Sequence, residues 1–96
     1  MEELKNWMER QFKIADRTLL QWRGNEVVVL KYDTNQQGCF AGLQSQMLNT
    51  IQLKEPMMQH EQVWAVTYDL ELPLLRAEIT YSLQQLLKDG WIESID

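Results

Sequence analysis

LPLLRAEITYSLQQLLKDGWIESID, residues 72–96, is the stretch whose beginning, apolar face and end can all be read from the sequence. Pro73 suits the first turn of a helix, where its missing N–H leaves no hydrogen bond unmade. Apolar residues then recur at helical spacing along one face, at Leu75, Ile79, Leu83, Leu86 and Leu87. The stretch therefore predicts an amphipathic helix near the C-terminus.

The end of this helix carries its own signals. Lys88 places a cation at the negative end of the helix dipole, and Gly90 can take the left-handed conformation that ends many helices. Trp91 can then fold back onto Leu86, which is the apolar contact expected at such an end. Residues 91–95 are expected to form a short buried strand.

Length and composition limit the fold and its setting. With 96 residues, 45% of them hydrophobic and 24% charged, the chain has the composition of one globular domain over residues 1–96. No apolar run approaches the roughly 20 residues that cross a bilayer, and Glu2 and Glu3 are unlike the start of a targeting segment. Cys39 is the only cysteine, so we expect no internal disulfide and a reducing, cytoplasmic setting.

The charge balance disfavours two classes of partner. The formal net charge is −5, whereas nucleic acids and anionic membranes attract clustered Lys and Arg.

The first 22 residues predict an N-terminal amphipathic helix over residues 2–22, because their apolar side chains fall on one arc of a helical projection. Arg10, Lys13 and Arg17 share its opposite face. They are either a solvated face or a basic stripe for an acidic partner.

The middle of the chain predicts strands. Residues 26–33, EVVVLKYD, favour a strand, residues 33–38 a hairpin turn, and residues 39–43 the return strand. Residues 44–55 fit helical and strand spacing, with strand slightly preferred, and residues 56–62 predict a loop. Residues 63–70, VWAVTYDL, predict another strand. We therefore expect an α+β fold, with a mainly antiparallel sheet of three to five strands covered on one face by the two helices.

No motif for catalysis or metal binding stands out. Cys39 and His60 are the one possible Cys-His pair, but nothing in the sequence places them together, and Cys39 is expected to be buried and slow to react. Asp33 to Gly38 matches the start of a calcium-binding EF-hand loop, yet Gln44 stands where a bidentate carboxylate is needed. We expect no enzyme activity, no metal and no cofactor.

The C-terminal stretch resembles part of a known DNA-binding family. A leucine-rich helix, Gly90, Trp91, Ile92 and Glu93 is similar to the last helix and first wing strand of winged-helix domains. The resemblance implies a DNA-binding regulator that uses residues 74–95, with Arg76, Gln84, Gln85 and Lys88 as the reading residues. The strand predicted over residues 63–70 departs from that family, where two helices precede the last one.

The leading hypothesis is a small acidic protein-binding module, acting as an adaptor, inhibitor, chaperone-like protein or regulatory subunit, or as its own dimer partner. A short sheet leaves at least one edge with unpaired backbone groups, which favours association with another strand. Met and Trp are enriched at protein interfaces, so Met57, Met58 and Trp64 are candidate contacts, with Arg10, Lys13 and Arg17 as a basic supplement.

Overall fold

A computed structural model describes residues 10–95 of the chain. In order, its elements are β1 (Phe12–Ile14), β2 (Thr18–Arg23), β3 (Glu26–Lys31), β4 (Gln36–Ala41), α1 (Gly42–Gln52), a 3₁₀ turn (Met57–His60), α2 (Glu61–Thr67), α3 (Leu72–Lys88) and β5 (Ile92–Ser94). The α+β prediction is confirmed. No helix in the described part of the chain is long and apolar enough to cross a membrane.

The strands form two antiparallel sheets. One has three strands in the order β2-β3-β4, and the other pairs β1 with β5. The prediction of a short strand after α3 is confirmed, and its partner is β1, the first strand of the described residues. The ends of the described chain are thereby held together, with Phe12 opposite Ser94 and Ile14 opposite Ile92.

The predicted N-terminal helix is wrong wherever the structure describes it, because residues 12–14 and 18–23 are strands; residues 2–9 lie outside the described range. Gly24 and Asn25, which were predicted to end the helix, join β2 to β3 as a two-residue loop. Gly24 has φ of 62°, the value needed at the first central position of a type II′ hairpin turn. Because residues 18–23 pair with β3, their apolar residues belong to a strand and not to the predicted helix.

The predicted hairpin is confirmed, but its return strand is Gln36–Ala41 where residues 39–43 were predicted, and residues 42–43 belong to α1. Lys31 lies opposite Gln36, so the loop is residues 32–35 and the return strand begins before Gly38. Val27 and Val29 are fully buried and face the helices, whereas Val28 and Leu30 between them are only partly covered. The sheet therefore has one packed face and one open face, which is the common state of an antiparallel sheet.

Helices replace two predicted strands. Residues 42–52 form α1, so the preference for a strand over residues 44–55 is wrong, and Met47, Leu48 and Ile51 are buried together at helical spacing. Residues 61–67 form α2, so the strand predicted over residues 63–70 is also wrong. In α2, Trp64 points into the core while the β-branched Val63 and Val66 face solvent. Burial of one helix face has overridden the strand propensity of these valines.

Helix α3 agrees with the sequence in its start, its face and its end. Pro73 lies in its first turn, and Leu75, Ile79, Leu83 and Leu86 are buried. Gly90 has φ of 78°, Gly90 N donates to Leu87 O at 3.1 Å, and Trp91 N donates to Leu86 O at 3.0 Å. These two bonds define a Schellman motif, the helix ending that Gly90 predicts.

Candidate functional site

The outer edge of β4 offers unpaired backbone groups. In an antiparallel sheet, successive residues point their N–H and C=O groups to opposite sides of the strand. Tyr32 N donates to Arg17 O at 3.1 Å, which sets this alternation across the sheet and leaves Gln37 and Cys39 of β4 with both backbone groups facing outward. Ala41 is the N-cap of α1, so its C=O accepts the first hydrogen bond of that helix. Within residues 10–95 no other segment pairs with Gln37 and Cys39, so β4 can accept a further strand there.

An aromatic pair lies under the packed side of this edge. Phe40 meets the ring of Trp91 edge-on, with ring centroids 6.0 Å apart. Trp91 is 4% exposed, whereas Phe40 remains half-buried, so part of the Phe40 ring is open. Between them, a Cβ added to Gly38 would lie 2.9 Å from Cζ2 of Trp91 and 3.0 Å from Cε2 of Phe40. Glycine is thus needed there for close packing of the two rings on the strand.

Two polar contacts join the β3–β4 hairpin to the end of α3 and to Trp91. Gln36 donates through Nε2 to the Asp89 carbonyl oxygen at 3.5 Å, a long hydrogen bond. Lys31 holds its ammonium 5.6 Å from the centre of the Trp91 ring, within the range of a cation–π interaction. Trp91 is therefore held by the helix ending, by the sheet and by Lys31. The floor beside the β4 edge is preformed.

Cys39 lies at the middle of this edge and is exposed. The prediction of a buried, slowly reacting thiol is wrong about burial, because Cys39 alternates with Gly38 and Phe40 and so faces the open side of the sheet. The open face is also apolar at Leu19, Val28 and Leu30, none of which is fully buried. Modification of the Cys39 thiol can therefore be used to measure whether the β4 edge is covered.

The apolar residues predicted as a partner surface do not share one environment. Met57 and Trp64 are core residues, 8% and 4% exposed, whereas Met58 is 53% exposed. His60 stacks on Trp64 with ring centroids 5.3 Å apart, and its Nε2 lies 2.9 Å from Oε1 of Glu55. Of the three predicted residues, Met58 alone presents a large exposed surface.

The basic residues Arg10, Lys13 and Arg17 do not lie on a helix. Arg10 donates to the Ser94 hydroxyl at 2.9 Å and covers the Phe12 ring. Lys13 lies 3.6 Å from Glu93, opposite it across the β1–β5 pair, and Arg17 lies 3.6 Å from Asp33. Each of the three is paired within the chain, which favours local roles over a basic stripe.

The DNA-reading candidates lie on α3 with different partners. Arg76 makes two hydrogen bonds to the buried carboxylate of Glu61 on α2, at 2.8 and 3.2 Å. The hydrogen bond and the charge of Glu61 raise the pKa of Arg76 further above its usual value. Gln84 and Gln85 are half-buried, and Lys88 is exposed at the end of the helix. Arg76 is therefore committed to joining two helices.

The described residues do not support a metal site. Asp33, the first residue of the supposed calcium loop, is held by Arg17. Within residues 10–95, no three His, Cys, Asp or Glu side chains come together as a group that could hold a metal ion.

Comparisons with known proteins add one structural likeness. No protein-family model matches the chain, and no curated protein matches it in sequence. A solved structure described as TbiB1 in complex with the TbiA(beta) leader peptide is similar, with a TM-score of 0.75 and 17% sequence identity. The similarity covers 84% of this chain and 94% of that one. At this identity the likeness establishes the fold alone.

Sequence reasoning anticipated a free sheet edge but not which residues form it. Gln37 and Cys39 carry no charge and no motif, and their significance depends on β4 being the last strand of its sheet. The one local signal was Gly38 beside Phe40 within a strand, because a glycine inside a strand often marks close approach of another group.

Proposed function

We propose that this protein is a peptide-binding module that captures an extended segment of another chain, of the leader-peptide type, as an additional strand on β4. The observation that carries the proposal is the open β4 edge above a preformed aromatic floor. Backbone hydrogen bonds from Gln37 and Cys39 would supply affinity for any extended peptide, as in other cases of strand addition. The likeness in fold to a protein solved with a leader peptide supports the same choice.

The proposal implies a side-chain pattern in the peptide. Peptide residues directly opposite Gln37 and Cys39 would point to the open face of the sheet, and those opposite Gly38 and Phe40 would point to the packed face. The second group would meet the open part of the Phe40 ring, because the packed side of Gly38 is already filled by the Trp91 and Phe40 rings. The preferred ligand thus has apolar side chains at alternate positions, flanked by polar residues.

Binding is preferred to catalysis in this proposal. The described residues that come together at β4 are amides, one thiol, two aromatic rings and a lysine, which suits recognition of a backbone and apolar side chains. The proposed setting is reducing and cytoplasmic, which suits an exposed single cysteine.

DNA binding of the winged-helix type is the weaker alternative. The two helices α1 and α2 that precede α3 remove the departure that the sequence suggested. However, Arg76 is engaged by Glu61, and Lys88 lies next to Asp89, so α3 presents little unbalanced positive charge. The same protein sample can be tested with genomic DNA fragments at physiological salt, where we expect no retardation.

The test uses selection of peptides followed by measured affinity. A displayed library of random 12-residue peptides is selected on the full-length protein, and enriched peptides are synthesised and titrated by fluorescence anisotropy. We expect enrichment of peptides with alternating apolar residues. Saturating peptide should slow modification of Cys39 by a thiol reagent, because the peptide side chain opposite Cys39 would lie beside its thiol on the open face.

Two variants make the test specific. Gln37→Pro removes an outward N–H and inserts a ring at the β4 edge without removing a β3–β4 hydrogen bond, so it should abolish peptide binding. Leu20→Pro also removes an outward N–H, at the edge of β2, and it shortens a side chain that packs against the core; in the folded variant the affinity should be unchanged. Failure to enrich any peptide, or binding that survives Gln37→Pro in a folded protein, would overturn the proposal.

A further inference from the structure

The sheet has a second open edge, on β2. The alternation set by the Arg17–Tyr32 hydrogen bond directs Leu19, Gln21 and Arg23 toward β3, and it leaves Thr18, Leu20 and Trp22 facing outward. Within the described residues no strand pairs with that edge. Natural sheets protect such edges with proline, lysine or a bulge, and β2 has none of these in its sequence TLLQWR.

We infer that β2 is a self-association edge, at which two copies of this chain pair their β2 strands antiparallel about a two-fold axis. With Leu20 on the axis, Thr18 of each copy lies opposite Trp22 of the other. All three outward residues are then used, and the pairing makes about six hydrogen bonds between the copies. The two three-stranded sheets become one six-stranded sheet.

The side chains support a second copy as the occupant. Thr18, Leu20 and Trp22 lie on the packed face of the sheet, where they share rows with Val27 and Val29. Trp22 is 38% exposed because the sheet stops beside it. In the pair, Leu20 meets Leu20 of the second copy, and Trp22 of each copy covers the edge at Thr18 of the other, so the apolar layer continues across the axis.

The charges at the ends of β2 bear on this register. Arg23 is the one charged residue of β2, and two-fold pairing brings it to the end where the second copy holds Arg17. The two arginines are a like-charge pair and oppose this register, and Asp33, which lies 3.6 Å from Arg17 in an exposed ion pair, offsets part of that repulsion. No like charges are forced together without a balancing carboxylate.

The pairing leaves the β4 edges at the two far ends of the six-stranded sheet. The inference therefore does not depend on peptide binding, and each copy keeps its own β4 edge. A dimer joined through β4 would instead compete with peptide. The two edges can be separated by experiment.

Sedimentation equilibrium of the full-length chain, from 10 µM to 1 mM, measures the association. We expect the apparent mass to rise toward twice the 11.4 kDa of the monomer. Leu20→Pro removes an outward N–H without removing a β2–β3 hydrogen bond, and Trp22→Lys places a cation at the edge. Each should return the mass to that of the monomer, with a circular dichroism spectrum like that of the parent protein.

Gln37→Pro is the matched control on the opposite edge and should leave the dimer intact. A monomer at every concentration overturns the inference, as does a dimer that survives both β2 variants. A dimer lost with Gln37→Pro but not with Leu20→Pro places the contact on β4 and also overturns it. Peptide binding is measured separately, so either proposal can fail while the other holds.

Discussion

Helices α1, α2 and α3 end in the same way, yet only the end of α3 could be predicted from the sequence. In α1, Lys54 N donates to Ile51 O and Glu55 N to Thr50 O; in α2, Asp69 N donates to Val66 O and Leu70 N to Ala65 O. Both repeat the Schellman pattern of α3. The left-handed residue is Gly90 in α3, but it is Lys54 in α1 and Asp69 in α2, with φ of 61° and 54°. A Schellman ending can be predicted from the sequence when glycine stands at the left-handed position. Tertiary packing can hold another residue in the same conformation, and the sequence then gives no signal.

The three ends also differ in the residue that follows. Trp91 is buried against Gly38 and Phe40, whereas Glu55 is only partly buried and is held by His60. The end of α3 is therefore part of the core and of the floor beside β4. At the end of α2 the corresponding residue is Leu70, which is partly buried and packs against the core. Four substitutions test this difference.

Trp91→Ala should have the largest effect. Removing a buried tryptophan costs about 3–5 kcal/mol, a large share of the roughly 5–14 kcal/mol expected for a domain of this size. Urea unfolding measures the change. The control is Trp22→Ala, which removes a partly exposed tryptophan and should cost less than half as much. Equal losses would show that Trp91 is no more a core residue than Trp22.

Gly38→Ala tests the contact between Trp91 and the sheet. The new methyl group would meet both aromatic rings at 2.9 to 3.0 Å, so the rings must shift, at a cost of about 1–3 kcal/mol. The neighbouring Cys39→Ala changes an exposed side chain and should alter the unfolding free energy by less than about 0.5 kcal/mol. Similar stabilities of the two variants would contradict the close packing at Gly38.

Gly90→Ala tests the left-handed end of α3. A Cβ at φ of 78° costs about 1 kcal/mol, and it would also lie 2.6 Å from Nζ of Lys31, which must move away from Trp91. The flexible lysine can move, so steric strain of the backbone should dominate. Thermal unfolding of Gly90→Ala and Gly90→Asn, the latter being better tolerated in this conformation, separates the two contributions. An unchanged midpoint for Gly90→Ala would show that its conformation matters little.

Lys54→Gly should have the smallest effect and the opposite sign. Glycine relieves the left-handed strain at the end of α1 but adds freedom to the unfolded chain, so we expect stabilisation of about 0.5 kcal/mol. Lys54 is exposed, and Lys54→Ala keeps the Cβ while removing the charge. If the alanine variant gains as much stability as the glycine variant, charge and not backbone strain explains the change.

The error over residues 63–70 shows where local sequence signals fail. Val63, Val66 and Thr67 are strong strand formers, and in α2 they occupy the solvent face. Glu61, Trp64, Ala65 and Tyr68 occupy the packed face, and the contact of Glu61 with Arg76 fixes that face against α3. The contact cannot be predicted from the segment VWAVTYDL, because Arg76 lies 15 residues away from Glu61 in the chain. A long-range ion pair and the burial of one tryptophan outweighed several small propensities.

The sequence by itself determined the elements whose conformation is imposed locally: α3 with its proline start and glycine end, the β3–β4 hairpin, and the short strand that follows Gly90. It also determined that a sheet this small leaves edges open. Tertiary structure alone decided that residues 18–23 are a strand, that α1 and α2 are helices, and that β2 and β4 are the two edges. Those outcomes depend on which distant residues meet, since the backbone groups of Leu20 and Cys39 are free only because of the order in which the strands pair.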